Sequence, residues 1–178
     1  MLTRKPDLAD ALIPRLARHG WGLVDNRLIP LSLFDPTELA ELPDAPRAEL
    51  VKAAQRFRDG DLAGAITAAC GAVETITTEI YHRYALGDPT DASFQERCNV
   101  ALRTVADHTQ GLRELGWDDA SLKPFVQNRS GALKQGAYVM QTLRAKMGDV
   151  HGTKPVLKPL VFEAMKWAEL FVRTLTLR

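Results

Sequence analysis

The segment Leu143–Gly152 places an arginine and a histidine seven positions apart, where a long helical pattern meets two glycines. Arg144 keeps its positive charge at any physiological pH, whereas His151 can accept and return a proton near neutrality. A pair of this kind can stabilise the charge on a phosphate group and supply acid and base catalysis. These residue types and their spacing therefore indicate a candidate phosphodiester-cleaving site that uses no metal ion.

The glycines decide how the pair can meet. On a continuous helix, seven residues span two turns, so Arg144 and His151 would share a face at about 10 Å along the axis. We expect Gly148 to end the helix, and Asp149, which is short and polar, to suit the turn that follows. The chain then either folds His151 back toward Arg144 or offers it to a neighbouring subunit.

The full string Leu-Arg-Ala-Lys-Met-Gly-Asp-Val-His-Gly resembles the Arg-(four to six residues)-His signature of the HEPN superfamily. It is also similar to the motif of the C-terminal domain of bacterial abortive-infection proteins. The alanine-rich stretch Ala65–Ile76 resembles the family's helix that carries a glutamate, which falls here on Glu74. The resemblance covers the chain from about residue 50 to the end.

The resemblance implies a HEPN-like helical bundle that acts as a metal-independent endoribonuclease, in anti-phage abortive infection or as a toxin. His151 would transfer the proton of an RNA 2′-hydroxyl or of the leaving 5′-oxygen, and Arg144 would stabilise the phosphoryl oxygens. Glu74 would orient Arg144 or His151, and Asp149 and Lys146 would support the site. The resemblance further implies an RNA substrate, no cofactor, no metal, and a homodimer formed through the Arg144–Gly152 turn.

Other interpretations of the same residues stay open. Arg144 can be a cation at a helix C-terminus, His151 a helix cap, and Glu74 a solvent-exposed or salt-bridged glutamate. Ala145 stands where the family usually has a polar residue, which favours a non-catalytic helical module that dimerises or binds RNA or a partner protein. A third alternative is the toxin of a two-component defence system, with an antitoxin partner.

Charge is unevenly distributed along the chain, although its formal net charge is only +1. Residues 122–178 carry ten Lys and Arg against three Asp and Glu, whereas residues 1–121 carry 13 against 19. The basic part contains the Arg–His motif, so we expect a field that attracts polyanions, unless these charges lie on a solvated helix face.

The remaining composition points to a cytoplasmic, reducing environment. Only two cysteines occur, Cys70 and Cys98, both in helix-like apolar patterns, which predicts buried thiols rather than a disulfide or a zinc site. The N-terminus is not of the signal-peptide type, and no apolar run reaches the roughly 20 residues that would span a bilayer. We therefore expect no membrane partner.

Periodicity predicts an all-α fold of about five helices behind a small N-terminal extension. The extension, residues 1–45, contains a short helix and a hairpin over 21–30 around an Asp-Asn turn. The helical domain, residues 46–178, shows apolar residues at helical spacing in five stretches, with Asp61 as a helix N-cap. These stretches are 46–58, 61–84, about 92–115, about 123–147, and from Pro155 or Pro159 to the end.

Overall fold

The computed structural model of the chain describes residues 6–150 and 152–176. Over these residues it contains eight α-helices and one two-stranded antiparallel hairpin, which confirms the all-α fold with a small N-terminal extension. The helices are α1 (Pro6–Arg18), α2 (Pro36–Ala40), α3 (Asp44–Arg58), α4 (Leu62–Arg83), α5 (Phe94–Val105), α6 (Thr109–Glu114), α7 (Asp119–Met147) and α8 (Lys158–Thr176). The strands are β1 (Trp21–Val24) and β2 (Arg27–Pro30).

Helix α4 forms the centre of the bundle, because α3, α5, α7 and α8 all pack against it. Its alanines let the neighbouring helices approach closely, and Ile66, Val73 and Ile76 fill the space between them. Asp61 is the N-cap, as predicted, and its carboxylate accepts a hydrogen bond from the Gly64 amide at 2.9 Å. Cys70 of α4 and Cys98 of α5 are free and buried, which confirms the expected thiols.

The N-terminal hairpin packs on the helical domain rather than standing apart from it. Its two-residue loop, Asp25-Asn26, has positive φ angles of 48° and 62°, the backbone that matches strand twist in a tight hairpin. Arg58 of α3 donates to the Leu28 carbonyl at 3.1 Å, and Arg47 pairs with Asp25 at 3.1 Å. The hairpin's Ile29 is fully buried in the same hydrophobic core as the helices.

The single helix predicted over 92–115 is wrong, because the structure divides it into α5 and α6. The Asp107 carboxylate accepts a hydrogen bond from the Thr109 amide at 2.9 Å, and this local turn competes with a continuous helix. The next helix, α7, also begins earlier than predicted, since Asp118 caps it through the Ser121 amide at 2.9 Å. Helix α7 ends at Met147, where the sequence predicted.

Candidate functional site

The C-terminal end of α7 opens onto a groove of about 580 Å³ whose other walls are α3 and α4. Helix α3 contributes Lys52 and Arg56, and α4 contributes Thr67 and Glu74 along its exposed side. Arg144 enters from the last turn of α7. We call this the motif groove, because the turn after Arg144 closes one of its ends with Asp149 and Val150.

Glu74 holds two arginines with one carboxylate oxygen. Its Oε1 lies 2.6 Å from Nη1 of Arg144 and 2.6 Å from Nη2 of Arg97. Partial burial lowers the pKa of Arg144, but the hydrogen bond and the charge of Glu74 outweigh it, so that the pKa is raised above its ordinary value. Arg144 therefore presents a permanently charged guanidinium, of which 36% of the side chain is exposed to the groove and solvent.

Asp149 fastens the turn after α7 to the other two walls. One carboxylate oxygen lies 2.6 Å from the Thr67 hydroxyl, and the other lies 3.0 Å from Nη1 of Arg56. The backbone amide of Asp149 also donates to the Thr67 oxygen at 3.3 Å. The hydrogen bond from Thr67, followed by the hydrogen bond and charge of Arg56, lowers the pKa of Asp149. The Asp149 side chain therefore stays ionised and anchored at neutral pH.

Gly148 is needed for this turn because the backbone passes close to its neighbours. Its amide donates to the Arg144 carbonyl at 3.0 Å and ends α7. A Cβ at this position would lie 2.5 Å from the Arg144 carbonyl oxygen and 3.1 Å from the Thr67 hydroxyl. Beyond it, the Lys146 carbonyl accepts hydrogen bonds from the amides of residues 153 and 154, so the chain turns back over the helix end.

The structure brings together three of the five residues that the sequence selected, namely Arg144, Glu74 and Asp149. Lys146, by contrast, is exposed and does not line the motif groove. His151 lies outside the described residues, although its chain neighbours Val150 and Gly152 are within them.

Three further residues hold the predicted ones in place, and no sequence pattern indicated them: Arg56, Thr67 and Arg97. Arg56 and Thr67 are 93 and 82 positions away from Asp149, so no local pattern connects them. An arginine in the last turn of a helix is ordinarily explained by the helix dipole and by water. Nothing in the sequence distinguished these residues from other helix-surface residues.

The charge of the motif groove differs from that of the chain segment that carries the motif. The described side chains that line it include three cations, Lys52, Arg56 and Arg144, and four acids, Glu49, Glu74, Glu79 and Asp149. Most of the acids come from α3 and α4, outside the basic C-terminal third. The field expected from residues 122–178 is therefore offset at the groove itself.

Beneath the groove, burial raises the pKa of the Cys70 thiol to about 12, so it is neutral and a poor nucleophile. No three His, Cys, Asp or Glu side chains in the described ranges 6–150 and 152–176 are arranged to hold a metal ion. In the same ranges, no helix is both long and apolar enough to cross a bilayer.

Comparison with known proteins returned no match of the chain to a protein-family model, a curated protein or a solved structure. The resemblance to HEPN proteins therefore stays a prediction from the motif residues.

Proposed function

We propose that the chain is a metal-independent endoribonuclease of the HEPN type, with Arg144 and His151 as its catalytic residues. The observation that carries the proposal is the Glu74–Arg144 ion pair of 2.6 Å beside the Asp149 turn. It fixes a charged guanidinium in an open groove, seven residues before a histidine. Preorganised charge of this kind is the main requirement for stabilising a phosphoryl transition state.

In the proposed reaction, the 2′-hydroxyl of a ribose attacks the adjacent phosphorus, and the bond to the 5′-oxygen breaks. His151 accepts the hydroxyl proton or protonates the leaving oxygen, and Arg144 stabilises the non-bridging oxygens. The products are a 2′,3′-cyclic phosphate and a 5′-hydroxyl. DNA has no 2′-hydroxyl and is not cleaved by this route.

Glu74 acts in this proposal as a positioning residue. Because it binds Arg97 and Arg144 through one oxygen, it restrains the Arg144 guanidinium without contacting RNA itself. Asp149, anchored to Thr67 and Arg56, restrains the turn that leads to His151. Lys146 is exposed and does not line the groove, so in this proposal it contacts only an RNA phosphate that lies outside the groove.

We further propose that the active form is a homodimer in which two Arg144–Gly152 turns meet across a two-fold axis. One arginine and one histidine per chain make a sparse site, and isologous symmetry doubles both. The proposed setting, a cytoplasmic role in anti-phage abortive infection or as a toxin, rests on the motif alone.

The second candidate is a non-catalytic module that binds RNA or a partner protein, such as an antitoxin. One observation of the groove favours it: acids outnumber cations among the described residues that line it. Ala145 adds to this, since it offers no polar group at a position where the family usually has one.

Cleavage of a total RNA pool by purified protein in EDTA tests the proposal, with the chemistry of the cut ends as the readout. We expect 2′,3′-cyclic phosphates, and a loss of several powers of ten in rate for Arg144→Ala and for His151→Ala. Lys123→Ala, an exposed cation on the same helix as Arg144, is the matched control and should keep full activity. RNA binding without cleavage would favour the second candidate, and 5′-phosphate products would contradict the proposed chemistry.

Mixing an Arg144→Ala chain with a His151→Ala chain tests the composite site. If one intact pair suffices, the heterodimer regains part of the activity that each variant lacks alone. A strictly monomeric protein with full activity would remove the dimer from the proposal and leave the chemistry standing.

A further inference from the structure

A second concavity lies between the end of α5, the short helix α6 and the first half of α7. It has a volume of about 420 Å³ and shares no residue with the motif groove. Its floor is apolar and includes Leu102, Leu112, Val126 and Leu133. We call it the α5–α7 pocket. Its volume and its lining fall within the range of small-molecule sites, roughly 300–1,000 Å³ and mainly hydrophobic.

The break between α5 and α6 creates this pocket. Helix α6 has six residues and buries none of them, so it covers the apolar side of α7 only partly. Three large apolar side chains around it are exposed as a result: Leu115 by 80%, Trp117 by 39% and Phe125 by 40%. The rings of Trp117 and Phe125 touch, with centroids 5.1 Å apart. Of these three, Phe125 lines the pocket, and an exposed apolar side chain at a concavity is typical of a binding site.

Charged groups at the rim favour an anion. Arg129 donates from Nη1 to the Ala106 carbonyl at 3.2 Å, which leaves its other N–H groups without an acceptor among the described residues. Arg103 forms neither a hydrogen bond nor an ion pair within residues 6–150 and 152–176. The one acid of the lining, Asp107, stays ionised because hydrogen bonds from Thr109 lower its pKa, so that two arginines stand against one carboxylate in the lining.

We propose that the α5–α7 pocket binds a small amphipathic monocarboxylate of the medium-chain fatty acid type. The apolar body would fill the floor between Leu102 and Leu133, and the carboxylate would bind Arg129 and Arg103. A nucleotide fits less well, because the apolar side chains of the floor offer no hydrogen-bonding group to a base or a ribose. The pocket is independent of the proposed nuclease, and either can fail alone.

Titration of ¹⁵N-labelled protein with octanoate tests the proposal, with octan-1-ol as the uncharged probe of equal length. We expect saturable binding of octanoate with a Kd below about 1 mM and amide shifts confined to the pocket. Octan-1-ol should bind about tenfold more weakly, the usual effect of losing a charged hydrogen bond. Arg129→Met should weaken octanoate about tenfold and leave octan-1-ol unchanged.

If Arg129→Met fails to fold, Arg103→Met provides the same comparison at an exposed side chain with no described partner. The proposal is overturned if octan-1-ol binds as tightly as octanoate, if no saturation occurs, or if the shifts map to α8. The proposal is also overturned if the amide chemical shifts of pocket residues change with protein concentration in the absence of octanoate, since the occupant would then be a second copy of the chain.

Discussion

The carboxylate of Glu74 should stabilise the fold as well as orient Arg144, and Glu74→Gln tests this. The side chain of Arg97 is only 15% exposed, and its Nε is buried with no partner among the described residues. Its Nη2 depends on Glu74 for its charged acceptor. Glutamine keeps the shape and one oxygen of the side chain but removes the negative charge that both arginines share.

The cost follows from the two contacts of 2.6 Å. A hydrogen bond to a charged group contributes about 1.5–3 kcal/mol, and one between neutral partners about 0.5–1.5 kcal/mol. A hydrogen bond from an arginine to a neutral amide lies between these ranges, so each of the two contacts should contribute about 1 kcal/mol less to stability. Glu74→Gln should therefore lower the free energy of unfolding by about 2 kcal/mol. For a domain of this size we expect the Tm to fall by about 4–8 °C.

Urea denaturation of the wild type and Glu74→Gln at neutral pH measures this loss. Glu79→Gln is the matched control, because Glu79 lies on the same helix and the same groove but has no described hydrogen bond or ion pair. It should change the free energy of unfolding by less than about 0.5 kcal/mol. Equal, small effects of the two substitutions would refute the role of Glu74 as a shared counter-ion.

Two other residues of the motif turn give further predictions. Asp149→Asn should destabilise the protein at neutral pH. The folded-state pKa of Asp149 lies below the unfolded value of about 3.9, so the wild type loses the stability that this carboxylate contributes as the pH falls. The difference in free energy of unfolding between wild type and variant should therefore narrow below about pH 4. A pH-independent difference in urea titrations would contradict this. Gly148→Ala should lower the free energy of unfolding by about 1–3 kcal/mol, since its Cβ would meet the Arg144 carbonyl. Gly111→Ala is the control, because a Cβ there meets nothing within 4 Å, and it should be neutral or slightly stabilising. Thermal unfolding of the two alanine variants tests this prediction, and equal Tm values would show that the turn tolerates a side chain at position 148.

The sequence by itself determined the fold class and most helix boundaries. Apolar residues at helical spacing, the cap at Asp61 and the break at Gly148 are local signals, and a helix forms from local hydrogen bonds. The same locality explains the error over 92–115. The Asp107 turn competes with a helix over only a few residues, and packing against α7 decided between them.

The sequence also selected Arg144 and Asp149 through a motif and Glu74 through the resemblance of its helix, but it could not assign their partners. Glu74 lies 70 positions before Arg144, and only the packing of α4 between α5 and α7 brings it to both Arg97 and Arg144. The charge of the motif groove was decided in the same way. A count along the chain showed a basic C-terminal third, whereas the groove draws most of its acids from α3 and α4. Electrostatic interactions depend on distance in space, and only the tertiary structure sets those distances.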